Sequence, residues 1–192
     1  MTDEMNPEEK DGEEDESLSE EEALLDQITV TPEDSAQFPP EMILETQAPL
    51  HDEQRQTVYQ KILQLTVPQK IRLAMLGNRE ARNILIQDRN RIISMAVLRS
   101  PKLSENDALS YAQQRNLPQD VFAVLGKNKR WTKYYPVKLA LVNNPKTPLH
   151  ISMRFIEYLT ERDLKALSRN KNVSSVLNQS ARNTLQKRGK QA

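Results

Sequence analysis

The 192-residue chain has no cysteine, two histidines and four glycines, and each shortage removes a class of site chemistry. Without cysteine there is neither a disulfide framework nor a thiolate metal site, and the usage fits a reducing compartment, so the expected location is the cytoplasm. His51 and His150 have no second His, Cys or carboxylate at a ligand spacing, so no metal is expected. Gly12, Gly77, Gly126 and Gly189 are scattered, which leaves neither a phosphate-cradling loop nor a dinucleotide fingerprint. Ser, His and Asp occur without a nucleophile elbow. The chain is therefore read as a non-enzyme, with no catalytic residue and no cofactor. Long apolar runs are missing too. Nowhere do about 18 apolar residues occur together. The first residues lack a basic start followed by an apolar run, so neither a membrane span nor export is expected.

Charge is present in quantity but unevenly divided. Residues 1–53 hold 19 of the 27 acids and a single base, Lys10, a balance of −18, so the remainder carries +18 and the neutral total hides the division. Residues 2–22 cannot bury enough apolar surface to offset the entropy of ordering and read as disordered. The expected organisation is an acidic disordered tail over 1–50 and a basic helical domain over 51–192. Two apolar islands, 23–30 (ALLDQITV) and 38–44 (FPPEMIL), interrupt the tail, either as solvated linker or as short docking segments.

Within the basic domain a single stretch recurs. Residues 137–148 read VKLALVNNPKTP, with echoes at 71–80 (IRLAMLGNRE) and 93–102 (ISMAVLRSPK). Aligning the alanines stacks Ala74, Ala96 and Ala140, each followed four residues later by a polar Asn78, Ser100 or Asn144. Weaker copies pair Ala112 with Asn116 and Ala166 with Asn170. Intervals of 22 residues (Ala74 to Ala96) and 26 residues (Ala140 to Ala166) indicate a helical array. In each unit the alanine admits a neighbouring backbone, larger apolar residues flank it, and the polar residue with Pro101, Pro145 or Pro148 ends the helix. Helices are expected over 52–65, from Pro68 to about 76, from Asn78, over 92–98, from a capped start at Ser104 with Asp107 to about 114, over 118–125, 137–142 and 148–159, from Thr160, and over 173–187. Nothing alternates with period two for long enough to propose a sheet. The expected fold is all-α, a short right-handed α-solenoid behind the acidic tail.

The unit VKLALVNNPKTP, with the following TERDLKALSRNKNVSS, resembles the variant leucine-rich repeat and related HEAT-like helical repeats, which place an Asn-Pro-x-x-Pro corner between helices. The match is best at Asn144, Pro145, Thr147 and Pro148, fair at Ser100, Pro101 and Leu103, degraded at 116–118 and 170–174, and covers about 70–183. The basic domain is also similar to uncharacterised cytoplasmic proteins of predatory and related soil bacteria. Some variant leucine-rich repeat proteins carry a cysteine cluster. This chain has none, so no iron–sulfur site is implied.

The segment 126–136, GKNKRWTKYYP, breaks the repeat and crowds the single Trp with two Tyr and four bases. Lys127, Lys129, Arg130, Trp131, Lys133, Tyr134 and Tyr135 are candidate partner-binding residues, with Asn144, Lys146, Arg169 and Lys171 from the corners. The competing reading has Trp131 and one Tyr plugging the gap in the repeat, with the bases as a solvated rim. Two functions of different class fit. One is a non-catalytic scaffold or adaptor that holds an acidic protein or peptide on its basic helical surface. The other is nucleic-acid binding by the same surface, through phosphate contacts and aromatic stacking. In either case the acidic tail is an intramolecular competitor for the bases.

Overall fold

The computed structural model describes residues 25, 28, 30–45 and 51–189, and the acidic stretch 2–22 read as disordered lies outside the described residues. Among the described residues the chain is all-helical, with no strand. A 3₁₀ segment, Pro32–Gln37, precedes α1 (Pro40–Ile43), α2 (Asp52–Leu63), α3 (Val67–Leu76), α4 (Arg79–Leu85), α5 (Arg91–Arg99), α6 (Glu105–Gln113), α7 (Gln119–Lys127), α8 (Lys129–Thr132), α9 (Tyr135–Asn143), α10 (Leu149–Ile156), α11 (Glu161–Leu167) and α12 (Ser175–Gly189).

Local chemistry sets these bounds. Asp107 N donates to Ser104 Oγ at 3.2 Å and Ser104 N donates to Asp107 Oδ2 at 3.1 Å, the reciprocal cap expected from the sequence. Asn78 Oδ1 accepts from Ala81 N, Asn90 Oδ1 from Ile92 N, and Thr160 Oγ1 from Asp163 N, each satisfying an amide that the first turn leaves open. Pro68 and Pro136 occupy first turns, where a missing N–H removes no helical bond. Helices this short are marginal alone, so packing holds them.

The packing follows chain order. In the series α3, α5, α7, α10 and α12 each helix packs on the next, while α2 packs on α4 and α6 on α9. Contacts of α3 with α4, α6 with α7, α9 with α10 and α11 with α12 join the two sets. Close approach needs small residues at particular points. A Cβ on Gly126 would lie 2.4 Å from Ile151 Cγ2, so glycine is what lets α10 lie against α7. Ala74, Ala96 and Ala112 are fully buried between helices. Ala140 is only half-buried and Ala166 is exposed, so the repeating alanine is not a tight contact in every copy.

The boundary expected at residue 50 does not coincide with the edge of the packed body. Phe38 and Met42 are buried in the same cluster as Ile62 and Leu73, and Leu25 belongs to it as well. The physical reason is that the 38–44 island sets two large apolar side chains four residues apart, while acids around it meet bases of the body. Asp34 pairs with Arg72 (3.7 Å), Glu41 with Lys61 (2.5 Å) and Glu45 with Arg82 (3.1 Å). The segment 126–136 also contains more helix than its composition suggested, since α7 runs on to Lys127 and α8 follows directly.

Truncating these anchors tests whether they carry stability. Phe38→Ala and Met42→Ala are each expected to cost about 2–5 kcal/mol, the usual range for emptying a buried site. Leu44→Ala, at an exposed position, is expected to cost under about 0.5 kcal/mol. Urea denaturation of the three full-length variants compares them directly.

Candidate functional site

The corners that follow α4, α6, α9 and α11 are linked to one another by side-chain amides. Asn116 Nδ2 donates to Gln87 Oε1 (3.4 Å), Asn144 Nδ2 to Ala112 O (2.8 Å) and Gln114 O (2.7 Å), and Asn170 Nδ2 to Asn143 Oδ1 (3.0 Å). The four corners are therefore linked in series along one edge. Each corner exposes a base: Arg89, Arg115, Lys146, and then Arg169 with Lys171. None of these five side chains forms an ion pair or hydrogen bond among the described residues. The acid beside them, Asp88, is committed elsewhere. Burial raises its pKa, and the Lys70 ammonium at 2.8 Å together with the Asn90 N–H outweighs that and leaves it below the ordinary aspartate value.

Many other bases are taken up by the protein itself. Arg82 is buried, donating to Gly77 O (2.8 Å), Glu45 (3.1 Å) and Asp107 (3.4 Å), and Asp107 also holds Arg79 at 2.8 Å. Lys102 donates to Leu76 O at 2.5 Å, Arg130 to Leu103 O at 3.2 Å, Arg182 to Ser168 O at 3.2 Å, and Arg154 to Gly126 O. Arg188 bridges Leu159 O (2.7 Å) and Glu157 O (2.6 Å). Gly77, Leu76, Ser168, Gly126 and Glu157 lie in or just past the last turns of their helices, where the backbone leaves acceptors open and the dipole favours a cation, while Leu103 and Leu159 lie in the connections before α6 and α11.

The candidate residues separate into two groups. Trp131 is buried with Arg130 stacked 4.3 Å from its ring centroid, Tyr134 and Tyr135 are half-buried, and Lys133 lies over Tyr134 at 4.8 Å. Lys127 and Lys129 are exposed beside them at the end of α7 and the start of α8. Tyr135 donates to the Asp163 carboxylate and accepts from Thr160 N at 3.0 Å, tying α9 to the start of α11. The second group, Asn144, Lys146, Arg169 and Lys171, lies on the corner edge, with Asn144 buried and the three bases exposed. Between the groups runs α9, nine residues and about 14 Å long. They do not form one surface. Arg89 and Arg115 complete the edge and were not singled out in the sequence. Their signal is there, since Arg89 precedes Asn90 and Arg115 precedes Asn116, as Arg169 precedes Asn170.

Among the described residues no group of His, Cys, Asp or Glu is placed to hold a metal ion, and no helix is long and apolar enough to cross a membrane. No family model, curated protein or solved structure matches the chain.

Asn144 and Lys146 adjoin but have different duties, so their alanine variants are expected to differ. Asn144→Ala leaves the buried Ala112 carbonyl and the part-buried Gln114 carbonyl without this donor and is expected to cost about 1–3 kcal/mol. Lys146→Ala is expected to stay within about 0.5 kcal/mol of the parent. Chemical denaturation of both distinguishes them. A second prediction concerns acid. Hydrogen bonds from Tyr135 and Thr160 hold the Asp163 carboxyl below the ordinary aspartate value. A depressed carboxyl contributes stability above its unfolded-state pKa and loses that contribution as pH falls through the lower folded value. The difference in melting temperature between the parent and Tyr135→Phe is therefore expected to be full at pH 7 and to shrink steadily below about pH 4. A series of melts from pH 7 to pH 2.5 checks this.

Proposed function

We propose that this protein is a non-catalytic interaction scaffold, a short right-handed α-solenoid of variant leucine-rich or HEAT-like units in the cytoplasm, whose corner edge binds acidic segments of protein. The observation that carries the reading is the row of exposed bases Arg89, Arg115, Lys146, Arg169 and Lys171 on corners joined through Asn116, Asn144 and Asn170. A cation at each of four linked corners presents a line of charge to an extended polyanion, and a rigid array pays little ordering entropy when it binds. Nucleic acid is the alternative partner for such a line. Acidic protein is favoured because the one Trp is buried and Tyr135 is turned to Asp163, so neither offers the edge a stacking platform for bases. The twelve acids of residues 1–22 compete for the same bases in cis, while Asp34, Glu41 and Glu45 are committed to Arg72, Lys61 and Arg82. Because Phe38 and Met42 belong to the core, that competition is best probed by neutralising acids before residue 23 rather than by deleting the first 48 residues.

The test reverses the edge. Arg115→Glu, Lys146→Glu and Lys171→Glu together are expected to weaken binding of poly-L-glutamate at low salt by about tenfold or more, given roughly 0.5 kcal/mol for each exposed charge pair lost and a similar repulsion gained. Reversing Lys129, Lys133 and Lys187, away from this edge, is expected to change it little. Equal losses in the two triple variants would defeat the edge as a site. Tighter binding of a single-stranded oligonucleotide of matched charge would move the assignment to nucleic acid.

A further inference from the structure

Beside the basic edge the packing of α6 on α9 leaves an open groove of about 340 Å³. Its walls are Leu109 and Ala112 from α6 and Leu139 and Ala140 from α9, and Arg115 and Asn144 line the end that meets the edge. In the first copies of the repeat the corresponding gap is closed, with Ala74 and Ala96 fully buried. Here Ala140, Leu109 and Leu139 are partly buried and keep some contact with solvent. Ala140 lacks the volume to fill the space between the two helices, and Ala112 lies buried beneath it. An apolar concavity opening directly onto a line of cations has a definite chemical complement.

We propose that this groove reads one apolar side chain within an acidic partner segment, so that the edge selects acidic sequences with a leucine-sized anchor over sequences that are acidic only. This deepens the proposed function and rests on it. The division of labour follows from the two surfaces. The bases draw in any polyanion, which gives rate and weak affinity with little discrimination. The groove favours only a ligand that removes apolar surface from water, and that contribution survives added salt. A segment with a single leucine between two runs of acids satisfies both, the acids lying along Arg115, Lys146 and Lys171 while the leucine enters between Leu109 of α6 and Leu139 and Ala140 of α9. The chain itself contains such a sequence at 13–22, EEDESLSEEE, in which Leu18 is the one apolar residue.

The probe is a fluorescent decapeptide of that sequence, compared with one in which serine replaces the leucine, both titrated against the full-length protein carrying Leu18→Ser so that its own segment has no anchor. The leucine peptide is expected to bind about tenfold or more tightly than the serine peptide, and the ratio is expected to persist or grow from 50 to 300 mM salt while both affinities fall. Filling the groove with Ala140→Leu is expected to abolish the preference and leave the serine peptide's binding unchanged, which also reports that the variant is folded. Ala140→Ser, which leaves the groove open, is expected to keep it. Equal affinities of the two peptides, or a preference that survives Ala140→Leu, would overturn the inference. If equal affinities still fall on reversing Arg115, Lys146 and Lys171, the basic edge stands and only the groove is wrong. Failure of both peptides to bind at 50 mM salt would remove the edge as well.

Discussion

The structure depends on the carbonyl groups at the ends of its helices. A chain cut into helices of four to fifteen residues has many ends for its length, and each end leaves backbone acceptors that a longer helix would have satisfied internally. Here neighbouring segments supply the donors. Asn78 reaches Glu41 O and Leu44 O after α1, Ser100 reaches Met75 O near the end of α3, and Asn144 reaches Ala112 O and Gln114 O around the end of α6. The polar residue that recurs four places after the repeating alanine is thus less a helix stop than a stitch to the preceding unit. Removing such a donor costs the desolvation of the carbonyl it leaves behind, which exceeds the net worth of the bond itself.

The same constraint governs the positive charge. A formal balance of +18 beyond residue 53 suggests a surface uniformly attractive to anions, yet Arg82, Arg130, Arg154, Arg182, Arg188 and Lys102 all donate to carbonyls of the fold. Arginine suits this duty because its planar fork reaches two acceptors at once, as Arg188 does across the end of α10. Net charge is then a poor measure of what a ligand meets. The bases on the corners differ in this respect: the chain turns there and, among the described residues, no carbonyl or carboxylate takes up the side chains of Arg89, Arg115, Lys146, Arg169 and Lys171.

What could be read from the sequence and what could not divide along a physical line. Elements fixed by neighbours in the chain were legible: the helix period, the Ser104 and Thr160 caps, the prolines in first turns, and the polar residue after each alanine. Quantities fixed by distant partners were not. Phe38 and Met42 sit in an acidic, proline-containing stretch whose local composition argues against a core, and only the faces of α3 and α4 draw them into the packed interior. Trp131 has the surroundings of a binding residue, four bases within seven positions, but its ring is taken into the gap beside α9 and one of those bases stacks on it. Ala140 stands in the best-formed copy of the repeat yet is only partly buried, because burial at that position is decided by what lies across from it and not by the motif.

This last point bears on how a repeated unit acquires an individual role. If every copy packed as tightly as those around Ala74 and Ala96, the edge would differ from corner to corner only in the identity of its base, and electrostatics alone would have to discriminate among anions. Attraction between exposed charges at such spacings is worth a fraction of a kcal/mol per pair and is screened within about 8 Å at physiological salt, so it ranks partners mainly by charge density. Loosening one interface adds a contribution of another kind, short in range and insensitive to salt. It has a cost in packing, since Leu109 and Leu139 keep contact with water that a closed interface would exclude. The helix on one side of that interface, α9, is pinned at both ends, by Asn144 to α6 and by Tyr135 to the start of α11. With both ends of α9 held, the helix has little freedom to close the groove by shifting toward α6, and the proposed ligand would meet a groove already formed.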